Sequence, residues 1–140
     1  MGFQLHERLQ ADTVQIGSTD LCEVLLMNDS AWPWVVLVPR REGIREIYEL
    51  PDADQVQLLK ESSALGQGLM ALFGGDKLNI GVLGNMVPQL HLHHIVRFEG
   101  DPAWPGPVWG KQAPVPYSTD QLAQKLDELK PVVDRLLSVR

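Results

Sequence analysis

Residues 89–94 read Gln-Leu-His-Leu-His-His, and they decide how the rest of the chain is interpreted. Three of the four histidines of the chain lie in this stretch. Successive side chains of a β-strand point to opposite faces of the sheet. We therefore expect Gln89, His91 and His93 on one face, and His94 with two leucines on the other. Such a strand exposes polar groups on one face, while its other face packs against the protein core.

Two other interpretations of this stretch follow from the chemistry of histidine. The imidazoles can be structural, because histidine is often only partly buried and finds partners among its neighbours. They can also bind a metal ion, but His-x-His supplies two ligands and zinc normally takes three or four. The others would have to come from His94 on the opposite face, from His6 or from carboxylates, since Cys22 is the single cysteine. The ligand count therefore disfavours a metal site.

Composition is that of an ordinary globular protein. The chain has 140 residues, 44% of them hydrophobic and 21% charged, which favours one domain with a real core. The net charge is −6 and only Arg40 and Arg41 are adjacent basic residues, so nucleic acid is not an expected partner. One cysteine, no signal-peptide pattern and no apolar run of about 18 residues predict a cytoplasmic protein without a membrane partner.

The first third of the chain predicts strands. Residues 13–17 and 21–27 have strand character, and 34–38 form a nearly continuous β-branched run between two prolines. The spacing of the second and third runs predicts a hairpin. A further short strand is predicted at residues 46–48.

The middle of the chain predicts one long helix. Residues 51–54 are typical of a helix start with an aspartate as N-cap. Apolar residues at helical spacing continue to Phe73, where two glycines stop the helix. A helix of this length must lie on one face of a sheet. Further strands are predicted at residues 77–83 and 90–98.

An irregular arm and a helix complete the chain. Residues 101–117 are rich in proline and carry two tryptophans, Trp104 and Trp109, which close over a site, contribute across a dimer or anchor the arm. Residues 118–139 predict a C-terminal helix that opens with a capping box. Pro131 lies within it and is expected to kink the helix or end its first half. Strands, a helix, more strands and a last helix predict an α+β domain with an antiparallel sheet.

These parts together resemble the histidine triad (HIT) superfamily of nucleotide hydrolases and transferases. The signature of that family is His-φ-His-φ-His-φ-φ, where φ is apolar, on a strand after a glycine-containing loop. The best register places Gln89 at the first histidine, His91 at the nucleophilic middle histidine and His93 at the third. Asn85 lies six positions before His91, as the loop glutamine of the family does. The chain looks like a bacterial-type HIT-like protein with glutamine in place of the first triad histidine.

The resemblance covers residues 13–100 and implies a fold for the whole chain. We expect residues 1–140 to form a single HIT-like α+β domain, with an antiparallel sheet of about five strands. One long helix should pack on the sheet, followed by the arm at 101–117 and the C-terminal helix at 118–139. The family resemblance also implies a homodimer whose two sheets join into a continuous one.

The resemblance also implies a mechanism. His91 should attack the α-phosphate of a nucleotide derivative and form a covalent nucleotidyl-histidine, which water or another acceptor then releases. His93, about 6–7 Å along the strand on the same face, should donate to phosphate oxygens and help with proton transfer. Gln89 can bind a phosphate or a leaving group but cannot carry a proton. The resemblance thus implies a phosphoramidase-like or dinucleoside polyphosphate hydrolase-like enzyme. If the first position contributes acid–base chemistry, the enzyme should be slower or prefer a better leaving group, and if that position mainly orients the substrate, little is lost.

Four side chains are expected to bind the nucleotide. Asn28 is placed at the ribose hydroxyls, with Asp29 as the neighbouring alternative, and an Asx turn is the structural interpretation of Asn28. Asn79 and Asn85 should face the phosphates, or else stabilise the turn around Gly84. No cofactor is required, although a divalent metal could enter with the substrate phosphates. A nucleotide-binding module with little catalysis, or a histidine-based metal-binding protein, are the alternative functions.

Overall fold

The computed structural model describes residues 2–140, and its centre is a five-stranded antiparallel sheet. The sheet has the strand order β1-β2-β3-β5-β4. Its strands are β1 Thr13–Ser18, β2 Cys22–Met27, β3 Trp34–Pro39, β4 Lys77–Gly81 and β5 Leu92–Arg97. The hairpin predicted for the second and third strands is present, with Leu25 opposite Val36. The predicted α+β class with a five-stranded antiparallel sheet is confirmed.

Two layers cover the sheet. The helices are α1 Glu7–Asp12, α2 Asp52–Phe73 and α3 Thr119–Leu136. Apolar side chains of α2 and α3 pack on one face of the sheet, and the opposite face packs against N-terminal residues and the arm. Within residues 2–140, no helix is long and apolar enough to cross a membrane. Helices α2 and α3 thus support one face of the sheet, and the N-terminal segment and the arm enclose the other.

The ends of α2 follow proline and glycine chemistry. Its N-cap is Pro51 and not an aspartate, so that prediction is wrong. The fixed φ of proline suits this position, and Asp52 and Asp54 place negative charge in the first turn, where the helix dipole favours it. Gly74 ends the helix at φ 63° in the left-handed region, as predicted.

The C-terminal helix agrees with its predicted cap and continues through its proline. Ser118 accepts from the amide of Gln121 at 3.1 Å, and the Gln121 side chain accepts from the amide of Ser118 at 2.9 Å. This capping box confirms the predicted start. Pro131 lies inside α3 on an exposed position, and the helix does not end there.

Three predicted strand boundaries are corrected by hydrogen bonding. The predicted strand at 46–48 is a 3₁₀ turn, Ile47–Glu49, because the Glu49 carboxylate accepts from the amide of Glu46 at 2.8 Å. The histidine strand begins at Leu92 rather than at Leu90, since the amide of Leu90 donates to the carbonyl of Ile44 outside the sheet. Strand β4 ends at Gly81, the last of its residues that pairs with β5, and does not extend to residue 83.

Candidate functional site

Strand β5 and the residue before it present two histidines on the enclosed face of the sheet. The ring centroids of His91 and His93 are 4.8 Å apart, with 69° between the ring planes. Each side chain is 5% exposed, so both rings lie in a largely desolvated setting. His94 points to the opposite face, as strand alternation predicts.

The ring of His91 is held in one orientation by the main chain. Its Nδ1 lies 2.7 Å from the carbonyl oxygen of Gln89. A carbonyl oxygen only accepts, so the proton of the neutral ring is on Nδ1 and the lone pair is on Nε2. Burial lowers the pKa of His91 below its ordinary value of 6.5, against the opposing effect of the Gln89 carbonyl. The ring is therefore a neutral imidazole with an unprotonated Nε2 near pH 7.

The ring of His93 is held in the opposite tautomer. The indole Nε1 of Trp34 donates to Nδ1 of His93 at 3.0 Å. An indole N–H only donates, so the proton of the neutral His93 ring must be on Nε2. Burial, followed by the charges of His91 and His94, lowers the pKa of His93 to about 3. His93 is thus a neutral hydrogen-bond donor at physiological pH.

Trp34 is a site residue that the sequence did not reveal. It precedes a β-branched run that reads as core. Its place beside His93 depends on the pairing of β3 with β5, in which Trp34 lies opposite Ile95 and Val36 opposite His93. Side chains at such diagonal positions share a face and reach each other. The contact between Trp34 and His93 could be predicted only if the register of β3 against β5 were already known.

His94 belongs to the support of the site. It is fully buried beneath α2, where Nε2 lies 2.7 Å from the hydroxyl of Ser62 and Nδ1 lies 3.2 Å from the carbonyl of Leu92. Its burial lowers the pKa to about 4, so the ring stays neutral. Among residues 2–140, no three or more His, Cys, Asp or Glu side chains are gathered as metal ligands would be. His94 faces α2 and so lies on the opposite side of the sheet from His91 and His93.

The side chain of Gln89 is occupied by the N-terminal segment. Its Oε1 accepts from the amide of His6 at 2.8 Å, and its Nε2 donates to the carbonyl of Gln4 at 2.8 Å. Phe3 and Leu5 pack on the apolar cluster beneath. We call residues 3–8 the N-terminal strap. The side-chain amide of Gln89 therefore fastens the strap, a role that the sequence did not reveal.

A cavity of about 400 Å³, which we call the histidine cavity, opens beside the two rings. The residues that carry its chemistry are His91, His93, Asn85, Arg8 and Trp109. Its size is within the range of small-molecule sites. Helix α1, which the sequence did not predict, brings Arg8 to this cavity. Asn85 is exposed at its edge, where the sequence placed a phosphate-facing residue.

The arm closes one side of the site through Trp109. The ring centroid of Trp109 lies 5.6 Å from that of His93 in an edge-to-face arrangement. Strand β4 makes room for it at Gly81, where an added Cβ would lie 2.7 Å from the indole. Trp109 therefore lies over the site, one of the roles considered from the sequence.

A buried ion pair anchors the base of the arm. The Arg97 guanidinium bonds both oxygens of Asp101, at 2.8 and 3.0 Å, and holds the pKa of that carboxyl far below its usual range. Trp104 lies over the same guanidinium, 5.7 Å from it. The other tryptophan of the arm is thus part of the anchor.

The remaining predicted nucleotide-binding residues separate in space. Asn79 lies on the same sheet face as the histidines, but its amide oxygen accepts from Arg97 at 2.8 Å. The amide oxygen of Asn28 accepts from the amide of Tyr117 at 3.0 Å and so ties the arm to the end of β2. Asp29 lines a second cavity of about 210 Å³.

This second cavity, which we call the aromatic cavity, adjoins the histidine cavity. The two share Met27, Trp34 and Trp109 in their walls. The indole N–H groups of Trp32 and Trp109 are buried and have no hydrogen-bond partner within residues 2–140. A buried donor of this kind costs free energy unless an acceptor reaches it. The lining of the aromatic cavity thus combines three tryptophan side chains with Asp29.

Comparison with solved structures places this geometry among histidine triad proteins. The chain is 66% identical to a histidine triad protein from Marinobacter aquaeolei VT8, over 97% of this chain and 99% of the other, with a TM-score of 0.96. It is 45% identical to a histidine triad (HIT) protein from Sinorhizobium meliloti 1021, over 92% and 96% of the two chains, with a TM-score of 0.90.

A third relative and a family model agree. The chain is 41% identical to a histidine triad protein from Bradyrhizobium japonicum, over 95% of this chain and 99% of the other, with a TM-score of 0.92. No curated protein matches the chain. The model of the HIT domain matches residues 8–100, which include β1 to β5 and the histidine stretch. The chain therefore belongs to the HIT domain family.

Proposed function

We propose that the protein is a nucleotide hydrolase or nucleotidyl transferase that acts through His91. Membership of the HIT family supports a function of the nucleotide-binding or hydrolase type. The observation that carries the finer proposal is the pair of opposite tautomers: Nε2 of His91 holds a lone pair, and Nε2 of His93 holds a proton. One ring can attack a phosphorus atom while the neighbouring ring donates to the phosphate oxygens.

The proposed reaction has two steps. In the first, Nε2 of His91 attacks the α-phosphorus, an N–P bond forms, and the bond to the leaving group breaks with its electron pair on the leaving atom. In the second, water attacks the phosphorus, the N–P bond breaks and its electron pair returns to Nε2, while the attacking water gives up a proton to the surrounding solvent. The proton of His91 stays on Nδ1 throughout and donates to the Gln89 carbonyl oxygen, which keeps the ring oriented.

The aromatic cavity supports a nucleoside site next to the histidines. Tryptophan faces can stack on a base, and three indole side chains, Trp32, Trp34 and Trp109, line this cavity. Both hydrogen bonds that Asp29 accepts go to its Oδ1, from the amides of Ala31 at 3.1 Å and Val115 at 3.3 Å. Its Oδ2 is therefore the better candidate for ribose hydroxyls than the engaged amide of Asn28.

The test is a trapped intermediate. The protein is incubated with a nucleoside phosphoramidate or a dinucleoside polyphosphate, quenched, and searched for a nucleotidylated His91 by mass spectrometry. We expect an adduct on His91 in the wild type and in the distant control Lys130→Gln, and neither adduct nor turnover in His91→Ala. Absence of any adduct, with turnover unchanged in His91→Ala, would refute the proposal. We also propose that no cofactor is needed, so turnover should survive chelation by EDTA.

A nucleotide-binding module with little catalysis is the second candidate. The observation that favours it is the side chain of Gln89, which is bound at both ends to the strap and holds no transferable proton. This candidate requires that nucleoside monophosphate binding survives His91→Ala and that the wild type shows no measurable hydrolysis. Calorimetric binding measured beside turnover separates the two functions.

We propose that two copies pair along β4. This strand is an edge of the sheet, and edge strands offer unpaired hydrogen-bonding groups to another strand. A neighbouring groove of about 560 Å³ is lined by apolar side chains of α2 and β4. Among these, Leu59 is 68% exposed and Ile80 is 49% exposed. The geometry fits the joined sheets that the family resemblance implies.

The oligomeric state tests this pairing. Leu59→Glu should shift the sedimentation coefficient from dimer to monomer, because it places a charge in the apolar groove. Leu137→Glu is the matched control, since Leu137 is 55% exposed just after the end of α3 and does not line the groove. A wild type that sediments as a monomer at micromolar concentration would overturn the proposal.

A further inference from the structure

The histidine cavity contains one basic side chain among residues 2–140, and it comes from the N-terminal strap. Arg8 lines the cavity together with the acidic residue Asp12. The two imidazoles add no positive charge near pH 7, because burial lowers the pKa of both. A phosphate-bearing ligand in this acidic protein would therefore meet its positive charge at Arg8.

The guanidinium of Arg8 is only weakly held in place. Its Nε lies 3.7 Å from Oδ2 of Asp12, and the two side chains are 56% and 51% exposed. An exposed ion pair of this length contributes little to stability. A phosphate can replace the carboxylate at low cost and gain two parallel hydrogen bonds from the planar guanidinium.

The main chain that carries Arg8 is firmly fixed, in contrast to its side chain. The amide of Arg8 donates to Nδ1 of His6 at 3.0 Å, and the amide of His6 donates to the Gln89 side chain at 2.8 Å. Leu9, the next residue, is buried in the apolar cluster. Gln89 lies two residues before the proposed nucleophile, His91. Through its bond to the strap, Gln89 also sets the position of the Arg8 main chain.

We propose that Arg8 binds a phosphate beyond the α-phosphate, so that the substrate is a nucleotide conjugate with a P–O–P linkage and a phosphate leaving group. The inference rests on the proposed nucleotide function of the same site. It makes Arg8 a specificity-determining residue and Gln89 a positioning residue.

Leaving-group chemistry leads to the same substrate class. When His91 attacks, the bond from the α-phosphorus to the bridging oxygen breaks, and the electron pair stays on the leaving phosphate, which needs no proton. An amine leaving group would need one. Gln89 has none to give, and His93 is a neutral donor whose pKa is about 3. The guanidinium of Arg8 can balance the charge that develops on the leaving phosphate.

Binding of AMP and ADP, and of GMP and GDP, tests the inference without any turnover. We expect the wild type to bind the diphosphate about 10-fold or more tighter than the monophosphate, the effect of one charge-assisted contact. Arg8→Gln should bring the ratio close to one, and Arg8→Lys should retain part of it. Lys130→Gln is the matched control, since it removes the cation of another exposed i,i+4 ion pair, 3.0 Å from Asp134. A ratio near one in the wild type, or one that Arg8→Gln leaves intact, overturns the inference.

Kinetics separates this inference from the proposed function. The kcat/KM for a dinucleoside polyphosphate, divided by that for a nucleoside phosphoramidate, should fall about 10-fold or more in Arg8→Gln and stay constant in Lys130→Gln. An adduct on His91 with equal losses on both substrates would retain the proposed function and reject the role of Arg8. A diphosphate preference that depends on Arg8, with no adduct and no turnover, would retain the role of Arg8 and reject the enzyme.

Discussion

Nε1 of Trp34 donates to Nδ1 of His93, and this one contact at 3.0 Å determines which nitrogen of His93 faces a ligand as a donor. The carbonyl of Gln89 does the reverse for His91 at 2.7 Å. The centroids of the two imidazoles are 4.8 Å apart. Both rings are neutral, and Nε2 of His91 can accept a hydrogen bond while Nε2 of His93 can donate one. The pairing needs a donor from β3 and an acceptor from the loop before β5, so it is a property of the tertiary fold.

Trp34→Phe should release the tautomer of His93. The ring remains but the donor is lost, so Nδ1 and Nε2 of His93 compete for the proton. We expect kcat to fall about 10-fold, because a misdirected donor no longer stabilises the transition state. The ¹⁵N chemical shifts of the His93 ring should move from one tautomer toward a mixture. Trp104→Phe, which removes an indole at the anchor of the arm, is the control that should leave those shifts unchanged.

Gly81→Ala should displace Trp109 from the site. The added Cβ would lie 2.7 Å from the indole, closer than atoms can approach, so the ring must move. Overpacking of this kind costs about 1–3 kcal/mol of stability. We expect kcat/KM to fall about 10-fold as well, since Trp109 walls both cavities. Gly100→Ala is the matched control, because an added Cβ there has no atom within 4 Å.

Turnover should lose activity in acid with a midpoint below the ordinary pKa of histidine. His91 must be unprotonated at Nε2 to attack, and burial lowers its pKa below 6.5. The acid limb of kcat/KM for a substrate with a phosphate leaving group should therefore have its midpoint below pH 6.5. An acid limb with its midpoint at or above 6.5 would contradict the neutral, desolvated His91.

The free energy of unfolding should depend on pH through the buried histidines. The pKa of His94 is about 4 in the folded protein and 6.5 in its ordinary state, so the unfolded chain binds more protons between these values. Stability is then full above pH 6.5 and is lost as the pH falls toward 4, by about 1.4 kcal/mol per pH unit for each such group. His93 adds to the slope in the same direction.

Urea unfolding at several pH values between 7.5 and about 4.5 measures this slope. His94→Gln removes one titrating group, so the slope should fall by about 1.4 kcal/mol per pH unit. An unchanged slope in the variant would show that His94 does not take up the protons of unfolding.

Local patterns were sufficient for the sheet and for the faces of its histidines. Alternation along a strand depends on backbone geometry alone, so His91 and His93 could be separated from His94 before any tertiary contact was known. The same holds for the capping box at Ser118 and for the glycine that ends α2. Pro51 shows the limit of such patterns, because several residues near a helix start compete for the N-cap.

The contacts missed from the sequence join elements that are far apart along the chain. Trp34 and His93 are 59 residues apart, and His6 and Gln89 are 83 residues apart. No local pattern fixes the register of β3 against β5, or the path of a strap only a few residues long. Gln89 was therefore interpreted by its chemistry alone, as an amide that cannot carry a proton, and its use as a fastener could not be foreseen.

The two hydrogen bonds of Gln89 couple the strap mechanically to the segment that leads into the histidine strand. A histidine introduced at position 89 would lose at least one of them, because imidazole lacks the geometry to bond the amide of His6 and the carbonyl of Gln4 together. Such a substitution would loosen the strap at the same moment as it added a third imidazole. Its effect on turnover would therefore combine a change of proton chemistry with a change in the position of Arg8.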